Sequence, residues 1–368
     1  MYIEEISIVN YKNLKEVALT FSPRLNCLIG NNGAGKTNLM DAVYYLSFCK
    51  SFFNATDQIN INHDENFFML NGSYQRLGSH ETISCGLQAG QKKQFKRNTK
   101  VYRRLMEHIG LLPLVMVSPA DTNLILGGSD ERRKFMDGII SQYNQNYLDD
   151  LLKYNRAVLQ RNNLLKQFAN EHYFDAELLS IWDSHLVEHG SRIHAERQKF
   201  VEKLIPVFQQ FYSFISRENE SVGLKHSSDL YHNSFENILK NSISSDRAAQ
   251  HSTVGIHKDD LIFNIGRWPI KRLGSQGQNK TYLVALKLAQ YKFIREISGM
   301  KPILLLDDIF DKLDRSRVEQ IVKLISTDDF GQIFITDTNR SHLDTIIKKM
   351  DTEYHIFNVS QGKIEPIP

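Results

Sequence analysis

The apolar run Leu25-Asn26-Cys27-Leu28-Ile29 leads straight into Gly30-Asn31-Asn32-Gly33-Ala34-Gly35-Lys36-Thr37. After it, Leu39, Ala42, Val43 and Leu46 recur at helical spacing. Strand, glycine loop and helix in this order restrict the fold more than any other feature of the chain. The loop fits G-x-x-x-x-G-K-[ST] at every fixed position. Glycines admit positive φ and let backbone N–H groups curl around phosphate oxygens with no β-carbon in the way. A helix opening at 35–37 adds the partial positive charge of its N-terminus. Lys36 then reaches the β- and γ-phosphates, and the Thr37 hydroxyl is placed to ligate Mg²⁺. A glycine-rich hairpin could match the letters, but not the strand before them and the helix after. We read Gly30, Asn31, Asn32, Gly33, Ala34, Gly35, Lys36 and Thr37 as a nucleotide-binding loop.

Such a loop needs a carboxylate for the metal at the end of a neighbouring buried strand. Ile303-Leu304-Leu305-Leu306-Asp307-Asp308 supplies four aliphatics followed by two acids. Asp307 is the expected Mg²⁺ carboxylate, binding directly or through water. Asp308 is expected to orient or deprotonate the attacking water. Alone, an apolar strand ending in acids is common, and a solvated strand end reads equally well. It is the pairing with the glycine loop that gives the acids a role.

At 368 residues the chain has room for two domain units or a little more. Hydrophobic residues make up 41%, with 21 Phe and 15 Tyr, so a disordered or fibrous chain is excluded. The net charge of +3 neither demands nor excludes nucleic acid, and any basic footprint must be local. Cys27, Cys49 and Cys85 have no metal-ligand spacing, which suits a reducing compartment. The start, Met1 to Asn10, shows no targeting pattern and no apolar run reaches spanning length, so a cytoplasmic protein with no membrane contact is expected.

Alternation at Ile3, Ile6, Ile8 and at Val17, Leu19, Phe21 predicts half-buried strands, and 67–72, 82–88 and 95–102 read likewise. Between Gly138 and Gly190 there is neither Gly nor Pro, and apolar residues recur at three and four, which predicts long amphipathic helices. Helical pattern continues over 191–214, with an interruption expected near Pro206. Strands are expected at 260–265, 301–308, 332–336 and 353–358, and a helix at 279–297. These readings divide the chain into a head from 1–117 and 247–368 and a mostly helical lobe at 118–246. One α/β domain is thus built from both ends of the sequence.

Leu273-Gly274-Ser275-Gln276-Gly277-Gln278 stands directly before the amphipathic run Thr281–Gln290. It resembles the S-x-G-Q signature of ABC-type ATPases. A helix N-terminus there offers a hydroxyl and backbone amides to a γ-phosphate. Asp311-Lys312-Leu313-Asp314 resembles the D-loop that follows in those proteins. A head split by an insertion resembles the SMC and Rad50-like branch, but the insertion is too short for coiled-coil arms. Across essentially its whole length the chain is similar to the RecF family of bacterial recombinational-repair proteins. Tyr11-Lys12-Asn13-Leu14, Ser118-Pro119-Ala120-Asp121, Gly127–Asp137, Tyr154-Asn155-Arg156, Gln160-Arg161-Asn162 and Thr253–Leu261 carry that similarity.

The resemblance implies a Rad50-like ABC-ATPase head with an inserted helical lobe and no long coiled coil. It implies Lys12 and Asn13 beside the nucleotide, with Lys12 where an arginine is expected and hence without planar bidentate capacity. Ser275, Gly277 and Gln278 would act on the nucleotide of a second protomer, which makes ATP binding a dimerisation signal. The implied activity is weak, DNA-stimulated ATP hydrolysis that resets a dimer clamped on duplex DNA near single-strand gaps. RecR, and through it RecO and RecA, are the implied partners in repair and the SOS response. Asp308 stands where related heads carry Glu. Residues 111–121 lack a Q-loop glutamine, and Ile335-Thr336-Asp337-Thr338 lacks a switch histidine, with Thr338 a candidate in its place.

The residues themselves leave two readings open at several places. Lys92, Lys93, Lys96, Arg97, Lys100, Arg103 and Arg104 either track phosphates or guard a solvated strand edge. Arg132-Arg133-Lys134 is either a contact surface or a solvated face, and His257 beside Asp259 and Asp260 reads as a structural histidine. Trp268 before Pro269 reads as core or hairpin packing. An ATP-gated protein-interaction switch without DNA affinity is the alternative function.

Overall fold

The computed structural model describes residues 1–217, 220–310 and 313–367. They pack as two compact units: Met1–Thr122, Phe211–Asn219 and Ser275–Pro368 form one, and Asn123–Gln210 with Glu220–Gly274 the other.

The first unit opens with β1 (Tyr2–Tyr11), β2 (Leu14–Thr20), β3 (Leu25–Ile29) and helix α1 (Lys36–Phe48). Next come β4 (Phe67–Arg76), β5 (Ser79–Gln88), β6 (Gln94–Arg97), β7 (Lys100–Val101) and β8 (Leu114–Val117). An antiparallel sheet has the order β2-β1-β4-β5-β6-β7. Its strands alternate because one face is covered: Ile3, Ile6 and Ile8 of β1 and Leu70 and Tyr74 of β4 are all buried.

The second unit contains α2 (Thr122–Leu126) beyond its first residue, α3 (Ser129–Tyr143), α4 (Gln145–Asn170), α5 (Ala176–Ser216) as far as Gln210, β9 (Val222–Ser227), α6 (Phe235–Ala249), β10 (Asp260–Ile265), β11 (Trp268–Pro269) and α7 (Ile270–Leu273). Strands β11-β10-β9 form a small antiparallel sheet. Residues 247–274, expected with the head, pack here because β10 pairs with β9 from Asp260↔Ser227 to Ile265↔Val222. Helix α5 also runs unbroken through Pro206. Proline removes one backbone donor, but Pro206 is exposed, so the freed carbonyl of the preceding turn is free to face water. Trp268 takes the hairpin role and not the core one, since it remains 64% exposed.

The chain completes the first unit with α8 (Gln276–Ser298), β12 (Ile303–Leu306), α9 (Arg315–Ile325), β13 (Ile333–Asp337), α10 (Arg340–Met350), β14 (Tyr354–Ser360) and β15 (Lys363–Ile367). The second sheet has the order β15-β14-β3-β13-β12-β8, with β14, β3, β13, β12 and β8 parallel. Strands buried on both faces read as continuous apolar runs, which is why Leu25–Ile29 and Ile303–Leu306 show no alternation. Helix α1 packs on strands of both sheets and buries Leu39, Met40, Val43 and Leu46. Parallel order brings the glycine loop after β3 and the acids after β12 to the same end of the sheet, where open α/β sheets hold their ligands.

Candidate functional site

Steric demands explain two of the loop glycines. A β-carbon on Gly30 would stand 2.1 Å from the Val359 carbonyl oxygen of β14. Gly35, the N-cap of α1, has φ 122°, a conformation L side chains rarely adopt. Asn13 braces the loop from outside, donating from Nδ2 to the Gly33 and Ala34 carbonyls at 3.4 Å and accepting from Asn38 at 2.7 Å. Gly362 adds a backbone bond, its N–H donating to the Ala34 carbonyl at 2.8 Å.

Lys36 folds back over this loop and donates to the carbonyls of Gly30 at 2.6 Å and Asn31 at 3.0 Å. Burial pushes its pKa below the usual lysine value, against the pull of Asp308, Asp307 and Asp337. Thr37 donates from Oγ1 to the Asp307 carboxylate, 3.1 and 3.0 Å from its two oxygens. Burial raises the Asp307 pKa above the usual carboxylate value, while hydrogen bonds from Thr336 and Thr37 pull it back. Asp308, at φ 50°, is one of the few non-glycine residues in left-handed backbone. The strand end thus turns sharply at the second acid, a constraint typical of functional sites.

Sequence reasoning named Thr336 only as part of a stretch lacking histidine, and missed what it does. Its hydroxyl donates to Asp307 Oδ1 and accepts from the Asp308 N–H, both at 2.9 Å. One side chain from β13 therefore holds both acids in register. The signal available was positional: β13 pairs with β12 through Leu306↔Ile335, so the next residue on each strand stands side by side.

Ser275 is the exposed N-cap of α8. Its Oγ accepts from the Gln278 N–H at 3.2 Å, and Gln278 Oε1 accepts from the Ser275 N–H at 2.8 Å. This reciprocal capping box presets the first turn. Gly277 leaves space for Arg317, whose Nη1 would lie 2.9 Å from a β-carbon there. Of the D-loop resemblance, Asp311 and Lys312 lie outside the described residues. Asp314 caps α9 by accepting from the Arg317 N–H at 2.9 Å.

Lys12, expected beside the nucleotide, has a partner that sequence reasoning did not name. Its ammonium pairs with Asp41 of α1 at 2.5 Å. Asp41 also accepts from Tyr11 Oη, Ser51 Oγ and the Phe52 N–H, each at 2.7 Å. Lys12 nevertheless lines a cavity of about 700 Å³ that adjoins the loop, together with Asn13, Thr37, Asn38, Phe53 and His63.

Two basic clusters resolve differently from one another. Arg132 makes a bidentate pair with Asp260 at 2.6 and 3.0 Å, and Arg133 donates to the Asp259 carbonyl at 2.7 Å, so these two cations tie their own unit together. In the 92–104 segment Lys93 is bound to Asp57 and Arg97 to Glu81, both at 2.7 Å. Lys92, Lys96, Lys100 and Arg103 stay exposed. His257 is structural, as expected: its ring nitrogens face Tyr154 Oη at 2.9 Å and the Ser252 carbonyl at 3.2 Å.

A phosphate loop, two acids at the end of a parallel strand one place removed in the same sheet and a capped S-x-G-Q helix in a two-sheet unit define an ABC-type ATPase head. Family comparison agrees: the description "RecF/RecN/SMC N terminal domain" matches residues 2–365. The chain belongs to the RecF family. It is 55% identical over 366 residues to the DNA replication and repair protein RecF of Phocaeicola vulgatus, covering 99% of this chain and 98% of that one. The RecF of Flavobacterium johnsoniae is 46% identical over 359 residues, covering 98% and 100%. Among solved structures, the recombination mediator protein RecF-ATP in the RecFOR pathway superposes with a TM-score of 0.89 at 31% identity, over 100% of this chain and 98% of that one. An Smc head bound to the C-winged helix domain of ScpA has a TM-score of 0.59 at 17% identity, covering 100% and 97%, a likeness of fold.

Proposed function

We propose that this chain is an ATP-dependent DNA-binding protein of recombinational repair. In this reading it binds ATP, dimerises around duplex DNA near single-strand gaps, and is reset by slow hydrolysis that DNA stimulates. One observation carries the chemistry: Thr37, Asp307 and Asp308 converge at one end of the parallel sheet, held by Thr336. Hydroxyl and carboxylate oxygens at this spacing suit a hard divalent cation, so Thr37 and Asp307 would hold Mg²⁺. When bound, the ion neutralises charge on the β- and γ-phosphates.

Other steps belong to the chain's own groups. Lys36 exchanges two loop carbonyls for phosphate oxygens, a stronger, charge-assisted partner. Asn13 keeps the loop curled, and Lys12 with the adjoining cavity receives the adenosine end. Asp308 accepts a proton from the attacking water. Ser275, Gly277 and Gln278 offer a preset helix N-terminus to the γ-phosphate on a second protomer, which couples ATP to dimerisation. Lys92, Lys96, Lys100 and Arg103 meet phosphates without reading sequence. The RecFOR pathway in the name of the ATP-bound relative supports RecR and RecO as partners, with RecA loading downstream. Among the described residues no helix is long and apolar enough to cross a membrane, and we place the protein in the cytoplasm.

Fluorescence anisotropy of a labelled duplex, with and without ATP and Mg²⁺, tests this reading. Binding that tightens only with ATP, and loses that gain in Ser275→Arg, supports the dimeric clamp. Equal, salt-sensitive binding in both conditions reduces DNA contact to general basic attraction. Intact ATP binding with no duplex binding favours an ATP-gated interaction switch, the reading that the Asp57 and Glu81 pairs at Lys93 and Arg97 would suit. Asp308→Asn is expected to keep ATP and slow hydrolysis by about 10²–10⁴-fold. A wild-type rate in that variant would remove Asp308 from its role.

A further inference from the structure

Helix α5 carries a group of side chains that ATP chemistry does not use. His185, Glu188 and His189 follow the i, i+3, i+4 spacing that brings side chains onto one helical face. A ligand atom from each lies within 4.8 Å of the others. The two imidazole rings are stacked 4° from parallel, their centroids 6.1 Å apart. His189 is further oriented from α4: its Nδ1 is 2.8 Å from Asp150 Oδ1. An ionised carboxylate only accepts hydrogen bonds, so Nδ1 bears a ring proton, and in the neutral ring the lone pair is on Nε2. A carboxylate behind a histidine is the arrangement that fixes the tautomer of metal-binding imidazoles.

We propose that His185, Glu188 and His189 form a binding site for a divalent transition-metal ion of the zinc type. Two imidazoles and one carboxylate suit Zn²⁺ or Ni²⁺ and not the Mg²⁺ of the nucleotide loop, which prefers oxygen ligands. Asp150 is the positioning residue. Arg192 completes the picture, since its Nη2 is 2.7 Å from Glu188 Oε1 and its Nη1 3.1 Å from Asp150 Oδ1. Its side chain is 57% exposed and can withdraw into water. The guanidinium thus supplies positive charge to Glu188 and Asp150, and an ion must displace it from Glu188.

The helix carries its own reporter, because the Trp182 ring centroid is 5.8 Å from that of His185. Nucleotide-free full-length protein with Trp268→Phe, which leaves Trp182 as the one tryptophan, is titrated with Ni²⁺ while emission is followed. Saturable quenching at one equivalent, reversed by Zn²⁺, is expected. His185→Ala, at an exposed position, should weaken it at least about tenfold. Asp150→Asn should weaken it about 10–100-fold, and Arg192→Gln should tighten it. Circular dichroism checks that each variant keeps its helices. Absence of saturable quenching, or an unchanged titration in His185→Ala, overturns the site.

Discussion

Lys36 in the nucleotide loop and Arg197 in the helical unit are both buried cations, and their surroundings treat them in opposite ways. Arg197 donates to both Asp137 oxygens at 2.9 and 3.1 Å, to Asp259 at 2.9 Å and to the Ile256 carbonyl at 2.7 Å. Burial opposes its charge, but Tyr147, Asp137 and Asp259 outweigh that and hold its pKa above the ordinary arginine value. Among the described residues Lys36 donates to neutral carbonyls alone, and burial lowers its pKa. A charge that finishes a fold is answered inside the protein. One kept for a ligand is left partly unanswered, at a cost to the empty state.

Removing each cation tests that contrast, and the largest effect belongs to Arg197. Arg197→Ala strands Asp137 and Asp259, and chemical denaturation should show a loss of about 3–5 kcal/mol. Wild-type stability there would erase the distinction. Lys36→Ala should weaken ATP binding by about a hundredfold, about 3 kcal/mol by calorimetry, while changing stability by less than about 1 kcal/mol.

Neutral histidines sharpen the comparison, because each unit holds one whose charge burial disfavours. His108 in the first unit has Nε2 2.7 Å from the Leu46 carbonyl and Nδ1 3.0 Å from Tyr102 Oη. The carbonyl fixes the proton on Nε2, and burial depresses the pKa to about 4. Its counterpart His257, depressed to about 4 chiefly by burial, sits in the other unit. With folded values below the unfolded one near 6.5, the unfolded chain binds more protons between those limits, so stability falls as pH drops from about 6.5 towards 4. His108→Gln should flatten part of that fall, on the order of 3 kcal/mol, in melting curves collected across the window. Ser275→Ala should have a small and local structural effect, about 1 kcal/mol from the lost cap, visible as faster hydrogen exchange in the first turn of α8. If it also leaves hydrolysis untouched, Ser275 is only a cap.

The nucleotide loop is legible in the sequence because its chemistry is local. Its glycines, Lys36 and Thr37 lie in one short segment, and the aliphatic run before Asp307 marks a strand buried on both faces. Thr336 escaped because its partners come from the parallel register of β12 and β13, which no spacing along the chain reveals. The Lys12–Asp41 pair escaped for the same reason, since Asp41 comes from another element. Strand β9 is short and polar at alternate positions, and its identity depends on pairing with β10. Several motifs behind the family resemblance serve the fold of the second unit: Arg161 reaches Asp183 and Asp246, and Thr253 reaches Asp246.

Gly30 packs on Val359 and Asn13 on Gly362, so the nucleotide loop is shaped by chain that leaves the ribosome long after it. A nascent chain ending within the helical unit already contains every letter of the loop, but neither the acids nor the strands β13 and β14 that flank β3. Parallel pairing between distant segments forms slowly. A half-made copy therefore carries the letters of the loop without the strands that flank β3 or the carboxylate that Thr37 meets.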